Sequence, residues 1–257
     1  MIQRVVSQFA AILALALLMA LTGCGNVGPV QPLLKTLPKG ADSITLEQKG
    51  NALLLSWKIP THNQDGTALT NLAGFAIYKS DYDLAKGCPE CRPPKNLYRK
   101  IDLAYFRSNN RQSNRIHLWD NAVEEEMGYR YKIIPYTTEG LDGASKLVHR
   151  PCFTPPDSPA NLVGTGLDRQ ARISWDAASE TRQGVQLIGY NLYRRSGDTY
   201  FTATPLNDAP LTSLNYEDST VKNDVVYSYS LRSVITIGEQ QLESTFSTEV
   251  KVEPKRP

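Results

Sequence analysis

Apolar and polar residues alternate along most of the chain beyond residue 40, which is the pattern of strands that bury one face. The alternation is clear over 127–136, where Tyr129, Tyr131 and Ile133 fall on one face of an extended chain. No stretch after residue 24 has the 3.6-residue period of a helix of useful length. The pattern therefore predicts an all-β chain.

The same pattern of strands occurs twice in sequence. An aspartate precedes a Tyr-x-Tyr strand by nine residues in both copies, as Asp120 and Asp218. The other aromatic landmarks follow in the same order in the two copies: Trp57, Tyr78 and Tyr129 in the first, and Trp175, Tyr193 and Tyr227 in the second. This internal repeat predicts two similar domains.

The landmarks together resemble tandem fibronectin type III domains. They are a tryptophan on the second strand, a third strand of the form Gly-aromatic-x-aliphatic-Tyr, and a Tyr-x-Tyr sixth strand. The resemblance implies two seven-stranded, immunoglobulin-like sandwiches in which all six aromatic landmarks are structural core residues. It also implies that Tyr129 and Tyr227 form tyrosine corners, with each hydroxyl bonded to the backbone upstream.

The predicted domain organisation follows from the repeat and from the segments around it. A signal peptide over 1–23 precedes a Pro/Gly-rich tether over 24–39. Domain 1 spans 40–150 and domain 2 spans 158–253, with a linker over 151–157. Prolines in and beside the linker favour a stiff joint.

The amino terminus has the features of a secretory signal. The apolar run 9–21 has 13 residues and follows Arg4, whereas a membrane-spanning helix needs about 20 apolar residues. The segment Leu21-Thr22-Gly23-Cys24 resembles a bacterial lipobox, which implies cleavage before Cys24 and attachment of diacylglycerol and fatty acid, such as palmitate, to it. Gly25, in place of aspartate, implies transfer to the outer membrane. The alternative is an ordinary signal peptide with an incidental cysteine.

Charge gives no sign of a nucleic-acid partner. The formal net charge is +2, and nothing in this balance suggests the clustered basic surface that binding nucleic acid would need. We therefore expect the membrane, through the lipid, and an unidentified envelope protein or surface polymer as partners. We expect the protein to be a monomer.

Three cysteines remain beyond Cys24, and they have several possible uses. Cys88 and Cys91 form a Cys-x-x-Cys pair interrupted and followed by prolines, which argues against a thioredoxin-like helix. The close pair favours a Cys88–Cys91 disulfide in an oxidising compartment. A bridge from Cys152 to either of them, or three free thiols, stay open. A further alternative is a zinc site made of Cys88, Cys91, His149 and Cys152.

Catalytic chemistry finds little support, and we predict neither an enzyme nor a cofactor. His62 and His117 have no nucleophile motif beside them. The acidic run 124–126 has the character of a solvated turn.

The function that these features favour is a lipid-anchored, non-enzymatic cell-envelope protein that presents two fibronectin type III-like domains for protein–protein interaction or scaffolding. One alternative is an envelope-assembly factor, since 24–32 is similar to the start of small lipoproteins that assist maturation of the lipopolysaccharide translocon. Another is a carbohydrate-binding accessory module.

Overall fold

The computed structural model describes residues 36–109 and 113–256. The predicted signal peptide, Cys24 and the tether as far as residue 35 lie outside the described residues. Within the described segments, no helix is both long and apolar enough to cross a bilayer.

The first domain is a sandwich of two antiparallel sheets. One sheet has the order β1-β2-β5 and the other β4-β3-β6-β7. The strands are β1 (Asp42–Lys49), β2 (Ala52–Lys58), β3 (Leu72–Asp83), β4 (Asn96–Asp102), β5 (Arg115–Asp120), β6 (Met127–Thr137) and β7 (Lys146–Cys152).

A short helix of seven residues, α1 (Leu103–Asn109), connects β4 to β5. The Asp102 carboxylate caps it by accepting hydrogen bonds from the backbone N–H of Ala104 and Tyr105, at 2.7 and 3.2 Å. Leu103 is buried in the core of the first domain. Two turns are too few for the sequence to show a helical period.

The second domain repeats the architecture. One sheet has the order β11-β9-β8, and in the other β12 pairs with β10, β13 and β14. The strands are β8 (Ala160–Leu167), β9 (Gln170–Asp176), β10 (Val185–Ser196), β11 (Asn215–Asp218), β12 (Tyr227–Ile237), β13 (Gln240–Glu243) and β14 (Val250–Val252). The predicted all-β fold of two seven-stranded sandwiches is confirmed. The strands leave 153–159 between the domains, where the sequence predicted a linker over 151–157.

A buried tryptophan occupies the core of each domain. Trp57 packs edge-on against Phe75, with ring centroids 5.4 Å apart. Trp175 packs in the same way against Tyr190, at 5.6 Å. Edge-to-face aromatic pairs add to the stabilisation that burial of the rings already provides.

The first tyrosine of each Tyr-x-Tyr strand makes the corner that the resemblance implies. The Tyr129 hydroxyl accepts a hydrogen bond from the backbone N–H of Glu124 at 2.7 Å. The Tyr227 hydroxyl accepts one from Lys222 at 3.1 Å. Each bond ties the turn before the strand to the strand itself.

The second tyrosine of each pair explains the repeated aspartate. Tyr131 donates to the Asp120 carboxylate at 2.5 Å, and Tyr229 donates to Asp218 at 2.9 Å. Burial raises the pKa of both phenols well above the ordinary value, so the tyrosines are the donors. A cation of the third strand completes each group: Lys79 at 2.6 Å from Asp120, and Arg194 at 2.5 Å from Asp218.

Replacing either core tryptophan by alanine should lower the free energy of unfolding by about 3–5 kcal/mol, because the lost ring leaves a cavity. Chemical denaturation of the Trp57→Ala and Trp175→Ala variants measures this. Trp119→Ala is the control, since that side chain is 37% exposed, and it should cost about 1 kcal/mol or less. A loss at Trp57 or Trp175 no larger than that of the control would contradict the core assignment.

Candidate functional site at the domain joint

Two of the six predicted core aromatics point away from their cores. Tyr78 and Tyr193 follow Ile77 and Leu192, which are fully buried inside the sandwiches, so strand alternation places the tyrosines on the outer faces. Tyr78 is half-buried there. Tyr193 is 1% exposed, but the residues that cover it include Lys49 of the first domain. The prediction of a core position is therefore wrong for Tyr78. Tyr193 is buried as predicted, but at the joint and not inside its own sandwich.

The two domains share one sheet. The edge strand β1 of the first domain pairs in parallel with β13 of the second, with Gln48 opposite Leu242 and Lys49 opposite Glu243. This makes a seven-stranded sheet whose main path runs β10-β12-β13-β1-β2-β5. Each of the two strands covers an edge that the other domain would leave open to unwanted pairing.

Glycine suits the turn after β1. Gly50 has a φ of +61°, and its N–H donates to the carbonyl of Glu243 at 2.9 Å. A Cβ at this position would lie 3.0 Å from Cγ2 of Thr245 in the second domain. Glycine adopts this conformation without strain and leaves room for the close approach of the second domain.

A buried group of charged and polar side chains stands over the shared pairing. The Lys49 ammonium donates to Glu243 Oε1 at 2.8 Å and to the Tyr193 hydroxyl at 2.9 Å. Tyr193 donates to Glu243 Oε2 at 2.8 Å, and the Asn191 amide donates to Glu243 Oε1 at 2.6 Å. Lys49 and Glu243 are 4% and 6% exposed. Because a buried charge is costly without its partner, this group selects one register between the domains.

Gln48 holds the start of the linker. Its side-chain amide donates to the carbonyl of Phe153 at 2.5 Å, and its Oε1 accepts from the Phe153 N–H at 3.0 Å. The Gln48 side chain thus makes the pair of hydrogen bonds that a neighbouring strand would make. These bonds hold the start of the linker, just after β7, next to β1.

Arg150 joins the domains from β7. Its guanidinium donates to the carbonyl of Leu46 on β1 at 3.0 Å and to that of Gln241 on β13 at 3.1 Å. Burial lowers the pKa of Arg150 from its ordinary value, but that value is so high that the group stays charged. A charged donor to two carbonyls is among the stronger hydrogen-bonding arrangements in proteins.

The rest of the linker is bonded to both domains. The Thr154 hydroxyl donates to Glu125 of the first domain at 2.6 Å, and its carbonyl accepts from Arg182 of the second at 2.8 Å. Further on, the Asp157 carbonyl accepts from the Ser233 hydroxyl at 2.5 Å. The joint therefore depends on these bonds and on the shared sheet, and not on the prolines alone.

Near the shared pairing, a cavity of about 200 Å³ opens between the domains. Its charged walls are Glu47, Lys49 and Glu243, and these pair with one another. None of the side chains that line it is a histidine, cysteine or hydroxyl nucleophile. Its chemistry is that of a structural contact.

The predicted Cys88–Cys91 disulfide is confirmed, with an S–S distance of 2.03 Å. Cys152 is a free thiol buried in the core of the first domain, and burial raises its pKa to about 11. The alternatives of a bridge to Cys152 and of three free thiols are therefore wrong.

The zinc alternative is also wrong, for a reason of strand geometry. His149 and Cys152 are three residues apart on β7, and an odd separation places side chains on opposite faces. Cys152 faces the core, while the His149 ring contacts Tyr82 on the outer face. Among the described residues, no three His, Cys, Asp or Glu side chains come close enough to hold a metal ion.

The disulfide loop is fastened to β6 by Arg130. This guanidinium donates to the carbonyls of Cys88 and Arg92, at 3.1 and 3.0 Å, and to that of Asp81 at 3.1 Å. His149 lies 3.8 Å from Glu90 of the same loop. The loop therefore covers one end of the outer face of the first domain.

His117 and His62 have local partners. His117 Nδ1 lies 2.8 Å from the Ser56 hydroxyl, and burial lowers the pKa of the imidazole. Ser56 is only 2% exposed, so its hydroxyl is not positioned for attack on a substrate. His62 Nδ1 lies 2.9 Å from the Thr61 hydroxyl.

The acidic run 124–126 also has structural partners. The backbone of Glu124 bonds Tyr129, the Glu125 carboxylate accepts from Thr154, and the N–H of Glu126 donates to the Cys152 carbonyl at 2.8 Å. These contacts tie the turn to the tyrosine corner and the linker.

Comparison with known proteins finds similarity of fold at a distance. No protein-family model matches the sequence, and no characterised protein matches it significantly. A chicken CNTN1 structure of domains FN1–FN3 is 11% identical, covering 86% of this chain and 69% of that one at a TM-score of 0.33. An Fn3-like protein from Clostridium thermocellum is 26% identical, covering 40% and 96% at a TM-score of 0.28. A myokine structure is 18% identical, covering 39% and 99% at 0.31. Because these TM-scores are below 0.5, the fold assignment rests on the strand order and pairing described above.

Lys49→Ala should uncouple the domains. The buried Glu243 carboxylate loses its nearest cation, and we expect a cost of about 3 kcal/mol, at the lower end for broken buried pairs because Arg232 stays 3.6 Å away. Differential scanning calorimetry should show one transition in the parent protein and two in the variant. Lys58→Ala, at an exposed lysine ending β2, is the control and should leave the single transition. Two transitions in the parent protein would contradict the coupling.

Proposed function

We propose that this chain is a lipid-anchored, non-enzymatic cell-envelope protein that presents two fibronectin type III-like domains as one rigid unit for protein–protein interaction or scaffolding. The observation that carries the proposal is the β1–β13 pairing, which makes one sheet of strands from both domains. Two surfaces held at a fixed angle bind a partner without the entropic cost of ordering a flexible joint.

The anchor in this proposal rests on the amino-terminal sequence. The short apolar run 9–21 leads into Leu21-Thr22-Gly23-Cys24, and a lipid-modified cysteine with two or more acyl chains holds a protein stably on a membrane. Gly25 supports an outer-membrane location. The similarity of 24–32 to translocon-maturation lipoproteins rests on the same segment and stays a sequence-level alternative.

A binding role, and not catalysis, accounts best for the side chains of the described segments. The hydroxyl beside His117 is buried, and the acidic turn and the joint carboxylates have partners inside the protein. The pairing of β1 with β13 also supports a monomer, because each strand already has a hydrogen-bonding partner in the same chain and does not offer its edge to a second copy.

Cys24→Ser should abolish lipidation and release the protein from membranes. Metabolic labelling with an alkyne fatty acid, followed by membrane fractionation, measures both effects. The Cys88→Ser/Cys91→Ser double variant is the control, because it removes two other cysteines and should keep the label. Absence of label in the parent protein, or its persistence in Cys24→Ser, would contradict the anchor.

Uncoupling the joint should weaken partner binding while each domain stays folded. After crosslinking in intact envelopes, the Lys49→Ala variant should retain a markedly smaller yield of the partner that co-purifies with the parent protein. Lys58→Ala should retain the full yield. Equal yields from all three would contradict a role for the rigid unit. Recovery of translocon proteins would favour the assembly alternative, and recovery of a surface polymer would favour the carbohydrate alternative.

A further inference from the structure

The outer face of the β4-β3-β6-β7 sheet carries an ordered row of side chains. Strand register places Leu97, Tyr78, Lys132 and Leu147 opposite one another across all four strands. Strands lie about 4.8 Å apart, so the row is about 14 Å long. Its two ends are apolar, since Leu97 is 57% exposed and Leu147 is 40% exposed.

Lysines lie over tyrosine rings on this face. Lys132 Nζ is 4.6 Å from the centroid of the Tyr78 ring, and beside the row Lys100 Nζ is 4.5 Å from that of Tyr136. Neither lysine makes an ion pair with any of the described residues. We call the side chains that make up this surface the tyrosine–lysine face: Leu97, Tyr78, Lys132, Leu147, Lys100 and Tyr136.

In the second domain, side chains of the same chain cover the outer face around the corresponding tyrosine. Tyr193, which corresponds to Tyr78, packs edge-on against Phe246 at 5.2 Å. Arg232 stacks 3.7 Å from the Phe246 ring and lies 3.6 Å from the Glu243 carboxylate. Close by, Arg195 pairs with Glu249 at 2.8 Å. In domain 2, therefore, an aromatic ring and two carboxylates of the same chain lie on this outer face, whereas Lys100 and Lys132 of domain 1 have no carboxylate partner among the described residues.

We propose that the tyrosine–lysine face docks an acidic polypeptide segment of a protein partner, which supplies in trans the carboxylates that domain 2 supplies to itself. The two lysines would attract negatively charged side chains of a partner. The exposed leucines at the two ends of the row would pack against apolar side chains of the partner. A polypeptide carries such side chains and an acidic glycan does not, so a polypeptide is favoured. An extended chain of about four to five residues spans the row. This inference deepens the proposed function by naming the surface and the chemistry of the partner.

The probe is a fluorescein-labelled oligoglutamate peptide whose ends carry leucine, titrated into the full-length protein in detergent and followed by fluorescence anisotropy. We expect binding that weakens as salt rises. The Lys100→Glu/Lys132→Glu variant should bind at least about tenfold more weakly, since two attractive contacts become repulsive. The Leu97→Ala/Leu147→Ala variant should also bind more weakly, but with an unchanged salt dependence.

The matched control is Lys39→Glu/Lys58→Glu, which makes the same charge change at two exposed lysines elsewhere in the first domain and should retain parental binding. Three outcomes would overturn the proposal: no binding of the peptide, equal loss in the control, or binding of polygalacturonate in preference to the peptide. The last would show an acidic glycan site. This measurement needs neither lipid nor envelope, so its failure is distinguishable from failure of the anchor or of the rigid unit.

Discussion

The structure depends on the pairing of β1 with β13, because this contact turns two sandwiches into one body. Its backbone bonds alone would tolerate a shifted register. The Lys49–Glu243 pair removes that freedom, since a slip of one residue would carry Lys49 to the opposite face of the sheet and leave Glu243 without its cation. Gly50 and Arg150 then hold the backbones of the two domains together around the pair.

The same contact explains why two repeats of one pattern present different surfaces. In domain 2 the third-strand tyrosine is enclosed by the joint and by Phe246. In domain 1 the corresponding Tyr78 lies on the sheet that does not contain β1, where it is half-buried and Lys132 lies over its ring. The edge-to-edge contact of the two domains thus covers the third-strand tyrosine of domain 2, while the outer face of domain 1 keeps exposed leucines.

Much of the fold could be predicted from the sequence because its causes are local. Alternation marks the strands, and the repeated tryptophans mark the two cores. The Cys88–Cys91 bridge could be predicted because the two cysteines are only three residues apart in the sequence. Strand alternation could also have excluded the zinc set, because His149 and Cys152 are an odd number of residues apart on one strand. It could likewise have placed Tyr78 on the outer face, because the preceding Ile77 is buried.

The joint could not be predicted in the same way. The pairing of β1 with β13 joins residues almost two hundred positions apart, such as Lys49 and Glu243 at a separation of 194. An edge lysine such as Lys49 has the same sequence signature as a solvated one. Lys49 is buried only because the second domain lies against β1. How the two domains pack depends on the surfaces of both sandwiches, which the sequence of β1 does not show.

We expect the two domains to move as one rigid body. Backbone ¹⁵N relaxation on the full-length protein in detergent tests it most directly, by giving a rotational correlation time for each domain separately. We predict one shared value for residues of both sandwiches, and values that diverge in the Lys49→Ala variant. Two distinct correlation times in the parent protein would contradict it.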